Sequence, residues 1–421
     1  MAETTDSKII SVDKINEAAG QLKGIAIHTP LAENLQLSEQ YQANIWLKRE
    51  DLQVVRSYKI RGAYNMMESL PDEELKNGVV CASAGNHAQG VALACFKKKI
   101  QGTIFMPVTT PEQKVKQVKM FGKEYVSVVL EGDTFDDSFA RARSFCDVKK
   151  AAFIPPFNDP MIIAGQGTVG KEILDDADFK IDYLLLPVGG GGLSAGVGSI
   201  FHHLSPETKI IGIEPEGAPA MQKSLEAGKL VTLDHIDKFV DGAAVQRVGD
   251  ITFDICRKVL DKVITVAEGK ICGVILKMYN EQAIVVEPAG ALAITALDEL
   301  KDEIKGKNVV CIVSGSNNDI TRTAEIKERS LMYEGLKHYF IVDFPQRSGA
   351  LMEFLSDVLG PDDDITYFEY SKKTNRELGP ALIGLEIKRK EDLKPLIERM
   401  KAKNFSFEYV NDQPRLFRFL T

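Results

Sequence analysis

No strongly basic block runs through these 421 residues, and net charge is −8 with a pI near 5.5. Neither nucleic acid nor an anionic membrane surface is expected as a partner. The six cysteines, Cys81, Cys95, Cys146, Cys256, Cys272 and Cys311, include no C-x-x-C pair. A thiol metal site or redox motif would need closer spacing, and a disulfide framework belongs to small secreted domains. They read as buried, inert thiols. Residues 1–11 are polar and lack the apolar core of a signal peptide. Residues 183–201 are uncharged, but Pro187 and the glycines make them a poor membrane helix. The expected location is the cytoplasm. There is no low-complexity tract.

What is present is a globular chain, 44% hydrophobic and 27% charged, long enough for two or three domains. From about residue 45 to 330 short apolar runs alternate with amphipathic stretches. Strands are predicted over 79–82, 103–108, 125–130, 183–188, 209–213, 263–266 and 308–313. Helices lie between them, including 86–98 and one that opens at Pro111, where the missing N–H costs nothing. Strands alternating with helices imply an open α/β fold with a mainly parallel sheet. After about residue 330 the rhythm changes. Strands over 337–344, 364–371, 381–387 and 405–410 surround two helical patterns, 348–359 and 393–400, with a charged turn over 372–379. That β-α-β-β-α-β order predicts a small α+β, ferredoxin-like domain over 336–421. The charged residues 323–329 read as the end of the first region, 1–330, or as a linker. No second copy of the small domain is visible.

Four segments carry chemistry in combination. Lys59 lies in Ser57-Tyr58-Lys59-Ile60-Arg61-Gly62-Ala63, at what reads as the opening of a helix. A lone lysine is ordinarily a solvated charge. At such a junction it can project into a cleft, where desolvation lowers its pKa and frees the amine to attack an aldehyde. Ser83-Ala84-Gly85-Asn86-His87 follows a buried strand and precedes a helix. Backbone N–H groups at such a turn suit a small anion. The turn is therefore expected to hold a substrate carboxylate through Ser83, Gly85, Asn86 and His87. His87 could be a base or simply shape the loop, and it receives no catalytic role.

The loop Gly189, Gly190, Gly191, Gly192 and Leu193 sits between a strand and a helix expected to start near Ser194. That arrangement wraps backbone amides around phosphate. A Walker loop would need Gly-Lys-Ser/Thr, which is absent. A dinucleotide fingerprint would need an acidic residue about 20 positions on, and Glu214 is close enough that spacing leaves this open. Ser314, in Ser314-Gly315-Ser316-Asn317, ends a predicted strand, where open α/β sheets place ligands. It could equally be a helix cap.

Together these segments resemble the fold type II, tryptophan synthase β-like, pyridoxal-phosphate enzymes, and among them the serine/threonine dehydratases. The resemblance runs from Ile27-His28-Thr29-Pro30-Leu31 to about residue 325. It includes Lys48-Arg49-Glu50-Asp51-Leu52, Ala164-Gly165-Gln166-Gly167-Thr168 and Glu287-Pro288-Ala289-Gly290-Ala291. The tail, with Phe344-Pro345-Gln346-Arg347-Ser348-Gly349 at its first strand-to-helix turn, resembles the ACT-like regulatory domain of biosynthetic threonine dehydratases. Long relatives carry two such modules, and this chain has room for one.

The resemblance implies a catalytic domain of two open α/β subdomains, the smaller one (roughly 50–155) inserted in the larger. Pyridoxal 5′-phosphate is the implied cofactor, attached to Lys59, with its phosphate on Gly189 to Leu193, its phenolic oxygen facing Asn86 and its pyridine nitrogen facing Ser314. It further implies L-threonine as substrate, L-serine as a secondary one, 2-oxobutanoate and ammonia as products, and isoleucine as effector. A homodimer or homotetramer is expected, and no metal ligands are carried over. The rival readings are a catabolic serine/threonine dehydratase or serine racemase, a threonine synthase or cysteine synthase-like enzyme, and a sensor that has lost catalysis.

Overall fold

Runs of valine and isoleucine, whose β-branched side chains pack well on a pleated surface, together with leucine supply most of the strands. The computed structural model describes residues 9–370 and 377–413. In chain order its strands are Leu31–Glu33 (β1), Asn44–Arg49 (β2), Val79–Ala82 (β3), Gly102–Met106 (β4), Val126–Leu130 (β5), Ala152–Phe153 (β6), Tyr183–Pro187 (β7), Lys209–Pro215 (β8), Lys262–Val266 (β9), Asn308–Val313 (β10), Lys337–Pro345 (β11), Asp364–Tyr370 (β12), Leu378–Glu386 (β13) and Ser406–Tyr409 (β14). The chain divides into two units, with the boundary between Asp319 and Ile320.

The first unit holds two sheets. The larger runs β1-β2-β10-β7-β8-β9, and only β1 is antiparallel to its neighbour. Its middle strands β7 and β10 are buried almost throughout, so both faces are covered, as a parallel sheet requires. The smaller sheet, β5-β4-β3-β6, is wholly parallel. Its core is built around Val79, Cys81, Val91, Ile104 and Val118. The larger core gathers Leu184, Leu186, Ile200, Phe201 and Val310.

Two helices join the sheets. Pro160–Asp176 starts sharply because Asp159 caps it, accepting the Met161 N–H at 2.7 Å, with Pro160 in its first turn. Lys59–Ser69 lies against it so closely that a Cβ on Gly165 would be 2.6 Å from the Arg61 carbonyl oxygen. A buried ion cluster locks this crossing. The Arg61 guanidinium donates to Glu50 Oε1 at 2.7 Å, to Glu172 Oε1 at 2.7 Å and to the Thr168 hydroxyl at 3.1 Å. Lys48 Nζ donates to Glu172 Oε2 and to the Thr29 carbonyl, at 2.7 and 2.6 Å. Burial works against the Arg61 charge, but Glu50 and Glu172 outweigh it and hold the guanidinium protonated. Two of the conspicuous sequence runs, 48–52 and 164–168, are thus explained by how the Lys59 helix is seated.

The second unit is one antiparallel sheet, β12-β13-β11-β14. The helices Ala350–Asp357 and Leu393–Ala402 supply Phe354, Leu396 and Met400 to its core, beside Phe340, Phe344 and Ile383. Its element order is β-α-β-β-α-β, as the sequence predicts. The helix Thr323–Tyr333 groups with this unit and not with the first, where the sequence placed residues up to 330. Tyr339 on β11 donates its hydroxyl proton to Glu328 of that helix at 2.6 Å, and Lys337 pairs with the same carboxylate at 3.6 Å. The predicted turn over 372–379 falls largely outside the described residues; β13 begins at Leu378.

Elsewhere the differences are local. β1, β2 and β6 are additional strands. Pro111 is the N-cap of Glu112–Gly122 and not its first helical residue. The glycine loop's helix begins at Gly192, not near Ser194. Among the described residues no helix is long and apolar enough to cross a membrane.

Candidate active site

Three of the four chemical segments leave the C-terminal end of a parallel strand, where backbone N–H groups and helix starts converge. Ser83 follows β3, the glycine loop follows β7 and Ser314 follows β10. Lys59 is the first residue of its helix. The segment before it is stitched to the Ser314 loop: the Tyr58 N–H donates to the Ser314 carbonyl at 3.3 Å, and the Ser316 N–H to the Arg56 carbonyl at 2.9 Å. Ser57 and Gly315 form an isolated antiparallel bridge between the two. Glu287 joins the seam by donating its N–H to the Gly315 carbonyl at 3.2 Å.

The Lys59 amine is partly buried and donates to the Pro156 carbonyl at 3.2 Å. Burial lowers its pKa to about 8, against a smaller upward pull from Glu287. That shift leaves about a tenth of the amine neutral at pH 7, far more than an ordinary lysine offers to imine chemistry.

The glycine loop has the shape of an anion cradle. Gly191 adopts a φ of +90°, which turns the chain into the helix Gly192–Leu204. A Cβ on Gly190 would sit 2.2 Å from the Phe157 ring, so only glycine lets the backbone pass there. The N–H groups of Gly192, Leu193 and Ser194, in the first turn, have no intrahelical acceptor. The Ser194 hydroxyl is fully buried and has no partner. An unspent hydroxyl beside unspent N–H groups fits a phosphate bound at this helix start. Glu214 leaves no room for the dinucleotide alternative. It is buried, and its two oxygens accept the N–H groups of Met221 and Gln222, each at 2.8 Å. It therefore caps the helix Ala220–Ala227 and does not face a ribose. Burial raises its pKa to about 8.

The turn after β3 is more specialised than its sequence suggests. Of its backbone donors, Ser83 already gives its N–H to the Phe105 carbonyl at 3.1 Å, and Gly85 gives its own to the Ser83 hydroxyl at 3.2 Å. Those of Asn86 and His87, in the first turn of Asn86–Lys98, have no intrahelical acceptor. The His87 ring lies 2.9 Å from the Ile154 carbonyl through Nε2, which must therefore carry the proton. Burial, reinforced by the Lys59 charge, drives its pKa down to about 3, so it is neutral and structural.

Asn86 meets two partners the sequence reading did not assign. Its Nδ2 donates to Glu287 Oε1 at 2.7 Å, and its Oδ1 accepts from Asn317 Nδ2 at 2.5 Å. Glu287 was visible only as part of a family-like run. Nothing local marks it as a site carboxyl, since its neighbour Pro288 simply reads as a helix start. Ser314 is buried at the end of β10.

Comparisons with known proteins agree with this geometry. The family described as pyridoxal-phosphate dependent enzyme matches residues 23–315, and that described as the C-terminal regulatory domain of threonine dehydratase matches residues 328–420. The protein named L-threonine dehydratase biosynthetic IlvA of Halalkalibacterium halodurans is 59% identical over 411 residues, 98% of this chain and 99% of that protein. The protein of the same name from Bacillus subtilis is 56% identical, covering 99% of this chain and 98% of its own length. Among solved structures, the processed form of threonine deaminase isoform 2 from Solanum lycopersicum is 41% identical, with a TM-score of 0.72, over 76% of this chain and 90% of that one. A maize serine racemase has a TM-score of 0.71 at 30% identity, over 77% of this chain and 98% of its own. The catalytic fold is thus shared widely, whereas the curated dehydratases match nearly end to end. The chain belongs to the pyridoxal-phosphate-dependent enzymes and, by its full-length match and its C-terminal module, to the biosynthetic threonine dehydratases among them.

Proposed function

We propose that the protein deaminates L-threonine to 2-oxobutanoate and ammonia, and L-serine to pyruvate more slowly. The observation that carries this is a lysine amine with its pKa lowered to about 8 in the same site as a helix start built for phosphate. Bound pyridoxal phosphate supplies the sink for the electron pair left when the α-proton departs. Lys59 Nζ holds the cofactor and, once released, takes that proton. Gly189, Gly190, Gly191, Gly192 and Leu193 orient the phosphate through backbone N–H groups, and Ser194 adds its hydroxyl. Asn86 faces the phenolic oxygen.

Ser314 is assigned to the pyridine nitrogen. A neutral hydroxyl there, in place of a carboxylate, leaves that nitrogen less protonated and favours prompt elimination over transamination. The substrate carboxylate is assigned to the N–H groups of Asn86 and His87 with the Ser83 hydroxyl. Gly85 shapes that turn. One methyl group separates threonine from serine, which a pocket discriminates by about 1–3 kcal/mol.

The C-terminal unit is assigned the regulatory role, with isoleucine as inhibitor, in a homodimer or homotetramer. Edge strand β12 has one neighbour, β13, and exposes Tyr367, Phe368 and Tyr370. A single module can complete an effector site by pairing with its counterpart in a second subunit. Inhibition then requires isoleucine to bind two subunit arrangements unequally. A cytoplasmic setting is proposed because all six cysteines are buried and unbridged.

The test is a 2-oxobutanoate assay on purified protein across threonine and isoleucine concentrations. Threonine turnover suppressed by isoleucine supports the reading. Indifference to isoleucine, or racemised serine as the main product, favours the rival. Lys59→Ala is expected to abolish both turnover and borohydride-fixed cofactor at position 59.

A further inference from the structure

Glu287 is a buried carboxyl in the seam around Lys59, and the reaction as described gives it no task. It precedes the helix Pro288–Thr295 but makes no capping bond to it. Its Oε1 accepts from Asn86 Nδ2 at 2.7 Å, and the Asn317 backbone favours its ionised form. Asn317 spends its side-chain amide on the Asn86 carbonyl oxygen and on the Val55 carbonyl, the latter at 3.0 Å. An asparagine amide is nearly symmetric in shape, so its partners decide which end points where. Here a donor holds the carbonyl end of Asn86 and an acceptor holds one N–H. Its second N–H is left for a ligand oxygen. Gly315 makes the space: a Cβ there would lie 2.4 Å from Glu287 Oε1 and 3.1 Å from the Arg56 carbonyl oxygen.

The charged and titratable groups acting on this carboxyl come from several elements. Lys59 and Tyr58 lie on one side, and both feel its charge. Asp241 and Lys114, themselves paired at 2.6 Å, act on it in opposite senses. Burial, and then Asp241, raise its pKa to about 7.

We propose that Glu287 is a positioning residue: it fixes the Asn86 amide with an N–H toward the cofactor's phenolic oxygen, and its negative charge favours the protonated form of the Lys59 nitrogen. This rests on the assignment of pyridoxal phosphate to Lys59. Glu287→Gln keeps the shape and an accepting oxygen but removes the charge. In the holoenzyme, the pH midpoint of the cofactor absorbance band is expected to fall by about one unit in that variant. Glu287→Asp keeps the charge on a shorter stem, so it holds the wild-type midpoint while binding cofactor about tenfold more weakly by fluorescence titration.

A Gln variant with the wild-type midpoint overturns the electrostatic role. An Asp variant with wild-type cofactor affinity overturns the positioning role. If the Gln variant does not fold, the Asp variant decides alone, since a midpoint displaced despite the retained charge also overturns the proposal. Wild-type protein that takes no borohydride label at Lys59 would instead defeat the functional reading beneath it.

Discussion

Two buried polar clusters flank Lys59 and behave in opposite ways. Around Arg61, two carboxylates meet two cations, and every charge is answered within 3 Å by an opposite one. Around Glu287, the carboxyl accepts a hydrogen bond from the neutral Asn86 amide, and Lys59 and Lys114 act on it without a hydrogen-bonded ion pair among the described residues. The pKa shifts follow. Burial pushes Glu172 up, but Arg61 and Lys48 overcome it and hold the carboxyl below its usual range. At Glu287 burial wins, and the pKa rises to about 7. Pairing with cations fixes a charge in place; surrounding a carboxyl with neutral donors leaves it able to titrate near neutrality. The first arrangement seats a helix, and the second can tune a reaction.

The signs of pH dependence differ accordingly. Glu172 contributes stability that is present above the ordinary carboxylate range and lost as pH falls through its depressed pKa. Glu287 binds its proton more tightly in the fold than in the unfolded chain. Its ionisation therefore weakens the fold progressively as pH rises from the unfolded carboxyl's range to about 7, and the penalty is constant above that.

The sharpest challenge to the contrast is Arg61→Ala, which strands Glu50 and Glu172 in the interior. It is expected to cost about 3–5 kcal/mol in urea denaturation. A loss under 1 kcal/mol would mean the ion cluster is not a lock.

Glu287→Gln should move the other way, gaining about 1–3 kcal/mol over wild type at pH 8 and nothing below about pH 4.5. A pH-independent difference would contradict the titrating carboxyl. Asn317→Ala is expected to change stability least, within about 1 kcal/mol. It removes two hydrogen bonds but also a buried, unpartnered Oδ1. A much larger loss would make the amide chain a structural element like the Arg61 cluster.

Strand–turn–helix punctuation made much of the molecule legible in its residues. Val79–Ala82, the helix Asn86–Lys98 and Asn308–Val313 fall where apolar runs and turn residues put them. Lys59, Asn86, the glycine loop and Ser314 occupy the strand ends and helix starts that their local sequence implies. β2 escaped notice for a physical reason. Lys48 and Arg49 make it read as polar, yet it pairs with β10, and Lys48 is fully buried because Glu172 and the Thr29 carbonyl receive its amine.

Glu287 was illegible for another reason. Its meaning depends on Asn86 and Arg56, both more than 200 positions away in sequence, reaching the same seam. His87 tempted as a base in the sequence, and only the Ile154 carbonyl explains why it stays neutral.

The grouping of Thr323–Tyr333 with β11 bears on protein engineering. A shortened enzyme ending at residue 330 would retain a helical stub whose Glu328 has lost Tyr339 and Lys337. Ending the chain at Asp319 instead removes that helix together with the sheet it serves, so the cut severs neither the Tyr339 nor the Lys337 contact.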